Sequence, residues 1–379
     1  MADQDPPEVI ARIASGVSPI DAMLWDALTG GNPFIGHDFL ELLEASGSVG
    51  PDTGWTPAPI VIERDGRLAG ALPAYLKTHS QGEYIFDHHW ADAYERAGGA
   101  YYPKLQIAAP FSPVPGPRVL ASDEMTARQL LRAAEALVTQ NGLSSAHATF
   151  IDPDQVALFD RAGWLAREDV QFHWINRNYD DFDDFLAALS SRKRKAIRKE
   201  RAAAQAQVRI EHVTGDALTE AHWDIFWEFY QDTGARKWGQ PYLTREAFSL
   251  MGETMADRVL LVLAWRGDMA IAGALNVIGP DRLYGRYWGC REDIPFLHFE
   301  LCYYQAIEAG IARGLKVVEA GAQGAHKLAR GYEPVVTHSA HFIADPGFRA
   351  AITDFLRRER AGNAEEVRYL AGHVPFRKP

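Results

Sequence analysis

Only two cysteines, Cys290 and Cys302, occur among the 379 residues. That is too few for a disulfide scaffold or a cysteine-based zinc site, so both read as reduced, small core residues. No Gly-x-Gly-x-x-Gly loop and no Gly-x-x-x-x-Gly-Lys-Ser/Thr loop occurs, which removes the usual signatures of nicotinamide and nucleotide-hydrolysing chemistry. A Gly-x-Ser-x-Gly elbow for a serine hydrolase is missing as well. Long apolar runs are also lacking. The longest near a strand signal, Val259 to Trp265, falls far short of the roughly 20 residues that span a bilayer. The start, Met1-Ala2-Asp3-Gln4-Asp5-Pro6-Pro7, has neither the basic residues nor the apolar stretch of a secretory signal. A folded cytoplasmic protein without a membrane span is expected, and transfer from an already activated donor suits it better than the excluded chemistries.

Apolar residues at 47% and charged residues at 23% are ordinary for globular proteins. The length points to two domains. A net charge of −11 argues against nonspecific coating of nucleic acid, which needs a net basic face. One local exception is dense: Arg192, Lys193, Arg194, Lys195, Arg198, Lys199 and Arg201 stand within ten residues. Arg194, Arg198 and Arg201 share one helical face and read either as a solvated surface or as a binder of donor phosphates.

The chain shows one order of elements twice. Arg64-Asp65-Gly66-Arg67 is a hairpin turn between Ile60-Val61-Ile62 and Leu68 to Leu76; Arg266-Gly267-Asp268 is its counterpart between Val259 to Trp265 and Ile271 to Ile278. Ser122-Asp123 caps a helix that stops at Asn141-Gly142, and a second helix ends at Arg313-Gly314 before the strand Lys316 to Glu319. The stretch Tyr101 to Pro117, with five prolines, reads as an ordered loop rather than a central strand. Asn176 to Gln207 reads as one linking helix, with acids at its start and bases towards its end, as the helix dipole favours. The expected division is 1–176, a linking helix 177–207, 208–345, and a helical tail 346–379.

Ligand chemistry collects where backbone changes direction. His298 and Glu300 open a helix, and Gly321-Ala322-Gln323-Gly324-Ala325-His326-Lys327 follows a strand, where a glycine-rich loop can cradle an anion or a carbonyl. Arg330 is suited to grip a phosphate or carboxylate with two hydrogen bonds, beside Gly331-Tyr332. In the first half Asp87, His88, His89, Trp90 and Tyr102 read as the polar and aromatic wall of an acceptor pocket. Adjacent histidines diverge on any regular element, so no metal site is assigned. His338 and His341, three apart on a strand, face opposite ways unless a bulge intervenes.

From about Trp55 to Glu359 the chain resembles the bacterial peptidoglycan biosynthesis/recognition proteins, Fem-like acyltransferases of the GNAT superfamily. The pair His298 to Gln305 and Gly321 to Tyr332 carries that resemblance. It implies an α/β fold of two tandem GNAT-like domains, each a mixed, largely antiparallel sheet flanked by helices. It also implies an N-acyltransferase or aminoacyltransferase forming an amide on an amine acceptor. Lys327 matches the family's lysine and would meet the oxyanion of acyl transfer; Glu300, or His298 through a water, would accept the amine proton. Gln323, Gly324, His326, Arg330 and Tyr332 would bind substrate. The co-substrate would be acyl-CoA or aminoacyl-tRNA, with no tightly bound cofactor, and the acceptor an amine-bearing small molecule or peptidoglycan precursor. A basic coenzyme A loop and the family's coiled-coil insertion are both missing from this sequence. Two other readings stay open: a catalytically silent binder of cell-wall or peptide fragments, and a small-molecule N-acetyltransferase.

Overall fold

The computed structural model describes residues 9–237, 241–321 and 325–377. In chain order the strands are β1 (Val9–Ile13), β2 (Trp55–Pro57), β3 (Ile60–Arg64), β4 (Arg67–Leu72), β5 (Ala74–Lys77), β6 (Lys104–Ile107), β7 (Leu120–Ala121), β8 (Ser145–Ile151), β9 (Leu165–Ile175), β10 (Arg209–Val213), β11 (Val259–Arg266), β12 (Met269–Ile278), β13 (Arg282–Cys290), β14 (Val317–Glu319) and β15 (Glu333–Ile343). The helices are α1 (Ala22–Asp26), α2 (His37–Ala45), α3 (His88–Arg96), α4 (Glu124–Gln140), α5 (Val156–Arg161), α6 (Phe182–Ala188), α7 (Ser191–Gln205), α8 (Glu220–Lys237), α9 (Arg245–Thr254), α10 (Leu297–Phe299), α11 (Gln305–Ala312) and α12 (Pro346–Ala371). Two compact units result, Met1–Asp169 with Thr337–Asn363, and Val170–Val336 with Ala364–Pro379. The chain passes from one to the other within β9, β15 and α12. Relative to the division expected from sequence, residues 337–345 go with the first unit and the linking segment with the second.

In the first unit, Asp65 and Gly66 both take positive φ, 52° and 73°, the two-residue turn whose twist suits a hairpin, and β3 pairs with β4 around it. β1 and β7 flank this pair, and a second row runs β2, β5, β6, β8 and the end of β15. α4 begins where the Asp123 carboxylate accepts from the Thr126 amide, as the sequence indicates. It buries Leu130, Leu131, Ala134 and Val138 against Ile60, Ile62, Leu72 and Ile107; each such side chain contributes roughly 1.5–3 kcal/mol. The proline-rich stretch departs from expectation. Lys104–Ile107 is an inner strand, antiparallel to β5 and parallel to β8. Pro103 and Pro110 lie outside it, so no ladder donor is lost.

The second unit orders its strands β10, β11, β12, β13, β14, β9. All pairs are antiparallel except β13 with β14. Its core gathers Trp174, Phe185, Leu260, Val262, Leu283, Leu301, Tyr304 and Val318. The linking segment is two helices, because the backbone at Leu189 and Ser190 is extended, with ψ 157° and 147°. Leu189 is buried there and forms a bridge to Phe376. Helix stabilisation therefore does not account for the charges as expected: Arg192 to Lys195 occupy the first turns of α7, the end at which the dipole is already positive.

Candidate active site

Strands β13 and β14 are paired only over Arg282–Tyr284 and Val317–Glu319, while β13 continues beside β12 to Cys290. β14 ends with that short parallel contact. Arg286 is an extra residue there, since Asn276 faces Gly285 and Leu275 faces Tyr287, and such bulges re-aim side chains beside functional sites. Gly285 leaves little room for a side chain: an added Cβ would lie 3.1 Å from the Glu319 carbonyl oxygen and 3.4 Å from Asn276 Oδ1.

Lys327 follows in a 3-10 turn, Ala325–Arg330. It is 1% exposed, its Nζ donates to the Gly321 carbonyl at 2.7 Å, and burial pushes its amine down to about 8. An ammonium with one acceptor among the described residues, kept from water, is a strong donor to any oxygen that reaches it. The Cys302 thiol lies within electrostatic reach of Lys327, Tyr303 and Tyr332. The Tyr332 hydroxyl is buried with no hydrogen-bond partner among the described residues. Arg330 lies 3.4 Å over the Phe299 ring and donates to the His326 carbonyl at 2.8 Å and to Glu200 Oε2 at 3.0 Å; Glu200 also accepts from the Tyr304 hydroxyl. The His326 Nε2 and the Tyr303 hydroxyl are 2.8 Å apart. The half-buried His298 packs its ring on Trp288 and Tyr303 at 5.2 and 5.3 Å, with His326 at 6.3 Å. His298, His326, Lys327, Arg330 and Tyr332 thus belong to one neighbourhood. Gln323 and Gly324 lie outside the described residues.

Glu300 is placed differently from the expectation of a proton acceptor. It begins a π-helical turn, Glu300–Tyr304, between α10 and α11, and is fully buried. Its Oε1 accepts from Arg201 Nη2 at 3.1 Å, Gln205 at 2.8 Å and Gln305 at 2.7 Å, while Arg201 Nε reaches both oxygens at 3.2 Å. With Oε1 accepting from Arg201 and Gln205 on one side and Gln305 on the other, the carboxylate ties α7 to α11. Arg201 is likewise engaged, bonding Glu308 at 2.6 Å as well, and Arg198 pairs with Asp183 at 2.8 Å. Both arginines line a cavity of about 860 Å³ with Asp183, His212, Gln305 and Glu308. Arg192, Lys193, Arg194, Lys195 and Lys199 make no ion pair among the described residues, so the cations available to a ligand are mostly earlier on α7 than the three expected.

In the first unit α3 divides the expected pocket wall. Asp87 and Trp90 point inward, whereas His88 and His89 are exposed on the first turn, His89 resting on Phe355 at 5.0 Å. Asp87 Oδ2 accepts from Lys104 Nζ at 2.5 Å and the Tyr101 hydroxyl at 2.6 Å. Lys104 also donates to Glu83 at 2.8 Å and to Ser80 at 2.9 Å, and Ser80 Oγ lies 2.8 Å from the half-buried Tyr102 hydroxyl. Lys104 and its neighbouring Asp87 hold each other charged: the lysine is raised and the carboxyl lowered, although burial opposes both. His147 Nδ1 meets His341 Nδ1 at 2.7 Å, after a register shift between His338 and Ala340 brings His341 opposite His147.

Sequence reasoning missed Lys104, Glu83, Tyr101, His147 and His341 as a network, and also the group around Glu319, whose Oε1 accepts from Arg282 at 3.1 Å. The one available signal was a lone ionisable residue inside an otherwise apolar strand, as in Ser145-Ala146-His147-Ala148 and Val317-Val318-Glu319.

Several solved structures resemble this fold at low identity. FemX is 13% identical with a TM-score of 0.55 over 88% of this chain and 98% of that one. L-PGS from Bacillus licheniformis is 10% identical with a TM-score of 0.52 over 90% and 98%. A conserved protein of unknown function from Bacteroides thetaiotaomicron is 12% identical with a TM-score of 0.51 over 89% and 100%. These likenesses carry the fold, a mixed α/β chain of largely antiparallel sheets flanked by helices. No curated protein matches the sequence. Among the described residues no helix is long and apolar enough to cross a membrane. The FemAB-like family model, described as peptidoglycan biosynthesis/recognition, matches residues 16–378, and the chain belongs to that family.

Proposed function

We propose that the protein is an acyltransferase that moves an activated acyl or aminoacyl group to an amine of a peptidoglycan precursor, forming an amide. The observation that carries this reading is Lys327, removed from solvent in the 3-10 turn that follows β14, with one carbonyl acceptor among the described residues. In such a transfer the amine lone pair attacks the acyl carbon, the carbonyl pair moves onto oxygen, and the C–N bond forms. The C–O or C–S bond to the donor then breaks. Lys327 would donate to the oxyanion, a role worth several kcal/mol where water is excluded, and the Tyr332 hydroxyl, without a hydrogen-bond partner among the described residues, supports a second donor nearby. His298 and His326, with the aromatic rings around them, would shape the acyl site. Arg330, stacked and bonded to Glu200, would hold the acceptor's carboxylate or the donor's phosphate only by exchanging partners.

The donor carries phosphates in either form considered, acyl-CoA or aminoacyl-tRNA. The cations of Arg192 to Lys195, at the positive end of α7, support an electrostatic landing site for them. The reading is tested by incubating the purified protein with a defined peptidoglycan precursor and each donor class, and weighing the product by mass spectrometry. A mass increase of one acyl residue on the amine is expected with one donor class; no product with either would overturn the reading.

A further inference from the structure

With the Glu300 oxygens occupied, an acyl transfer at this site needs another group to take the proton that the attacking amine releases. Glu319 ends β14, two residues before the Gly321 carbonyl that holds Lys327. It is 4% exposed, yet its hydrogen bonding is sparse compared with that of Glu300: Oε1 accepts from Arg282 Nη1 at 3.1 Å, and Oε2 lies 3.9 Å from Nε2 of His173. His173 is the residue directly opposite Glu319 on β9, so both side chains stand on one face of the sheet. Its Nε2 also lies 3.2 Å from the Gln171 side-chain oxygen. In the tautomer protonated on Nε2 the ring donates to that oxygen and Nδ1 is the acceptor. Lys327 acts electrostatically on this imidazole, which puts the lysine and the His173–Glu319 pair in one neighbourhood.

We propose that Glu319 is the proton acceptor of the transfer, receiving the amine proton directly or across the His173 ring, with His173 as its positioning residue. This inference rests on the acyl-transfer reading. The balance is complete without another reagent: as the C–N bond forms, the N–H proton passes to Glu319 Oε2, or to His173 Nδ1 while Nε2–H leaves the Gln171 oxygen and moves to Oε2. When the donor bond breaks, that proton neutralises the departing oxygen or sulfur, and Glu319 returns to carboxylate. Electrostatics agree with the geometry. Burial raises the Glu319 carboxyl to about 7, against the lowering effect of Arg282 and Arg286 and with a small raising effect of Asp281. A carboxyl in that range suits proton transfer near neutrality. Burial, with Arg282 and Lys327, pushes His173 down to about 3, which keeps the ring neutral and able to relay.

The test compares wild type, Glu319→Gln, Glu319→Asp and His173→Phe in the product assay from pH 5.5 to 9, with thermal midpoints alongside. Gln still offers an oxygen to Arg282, so Glu319→Gln is expected to fold. Wild-type kcat/KM should rise with pH through about 7, and that limb should vanish in Glu319→Gln together with about 10²–10³-fold of rate. Glu319→Asp should keep the limb at reduced rate and serves in place of Glu319→Gln if the latter unfolds. His173→Phe should move the limb rather than remove it. Full rate and an unchanged limb in Glu319→Gln, with wild type active and Lys327→Met impaired, overturn this inference and leave acyl transfer standing. A wild type without turnover on either donor overturns both.

Discussion

His147 and His341 face each other through their Nδ1 atoms at 2.7 Å, both 1% exposed. One Nδ1 must donate and the other accept, so the pair cannot hold a proton on both of these nitrogens. Burial is the main reason that His147 is pushed down to about 3 and His341 well below its usual value.

The sign of the resulting pH effect follows. Above the unfolded value of about 6.5 both states are neutral and the pair has no pH dependence. Below it the unfolded chain takes up protons that the native pair refuses, so stability falls as pH falls from about 6.5 towards 3. The slope is about 1.4 kcal/mol per pH unit for each proton. Urea unfolding at several pH values should show this slope, reduced by about one proton per histidine in His147→Asn and His341→Phe. Unchanged slopes in those variants would contradict the buried neutral pair.

The Glu300–Arg201 contact is assigned to structure. Arg201→Met strands a fully buried carboxylate and should cost about 3–5 kcal/mol in urea unfolding. Glu300→Leu combined with Arg201→Met should recover much of that loss. Glu300→Gln should leave the pH profile of the transfer unchanged; loss of its limb would return the proton-acceptor role to Glu300.

For the first turns of α7 the prediction concerns the donor alone. Replacing Arg192, Lys193, Arg194 and Lys195 together by Gln should raise the donor KM about tenfold or more at low salt, with the acceptor KM little changed. The effect should shrink as salt screens the contact. Equal KM values at low salt would make the run a solvated surface.

What could be read from sequence was local. Asp123 capping α4, the Asp65–Gly66 turn and the apolar runs of β11 and β12 depend on near neighbours, and the structure has them where expected. The break at Leu189–Ser190 was hidden because no glycine or proline marks it; a buried Leu189 and a bridge to Phe376, far along the chain, fix it. The setting of Glu300 was hidden for a similar reason. A carboxylate at a helix start is ordinarily solvent-exposed, and nothing nearby in sequence announces Arg201, 99 positions away. Lys327, His298, His326, Arg330 and Tyr332 were visible as a pair of segments, whereas Glu319, lost in an apolar strand, was not.

Lys327 is the central claim, and turnover and equilibrium donor binding measured on one variant, Lys327→Met, test it most directly. A cation that meets charge developing in the transition state should lower kcat about 10²–10³-fold when removed, with the donor Kd within about threefold of wild type. Full turnover in Lys327→Met, or a loss confined to affinity with kcat preserved, would contradict the account.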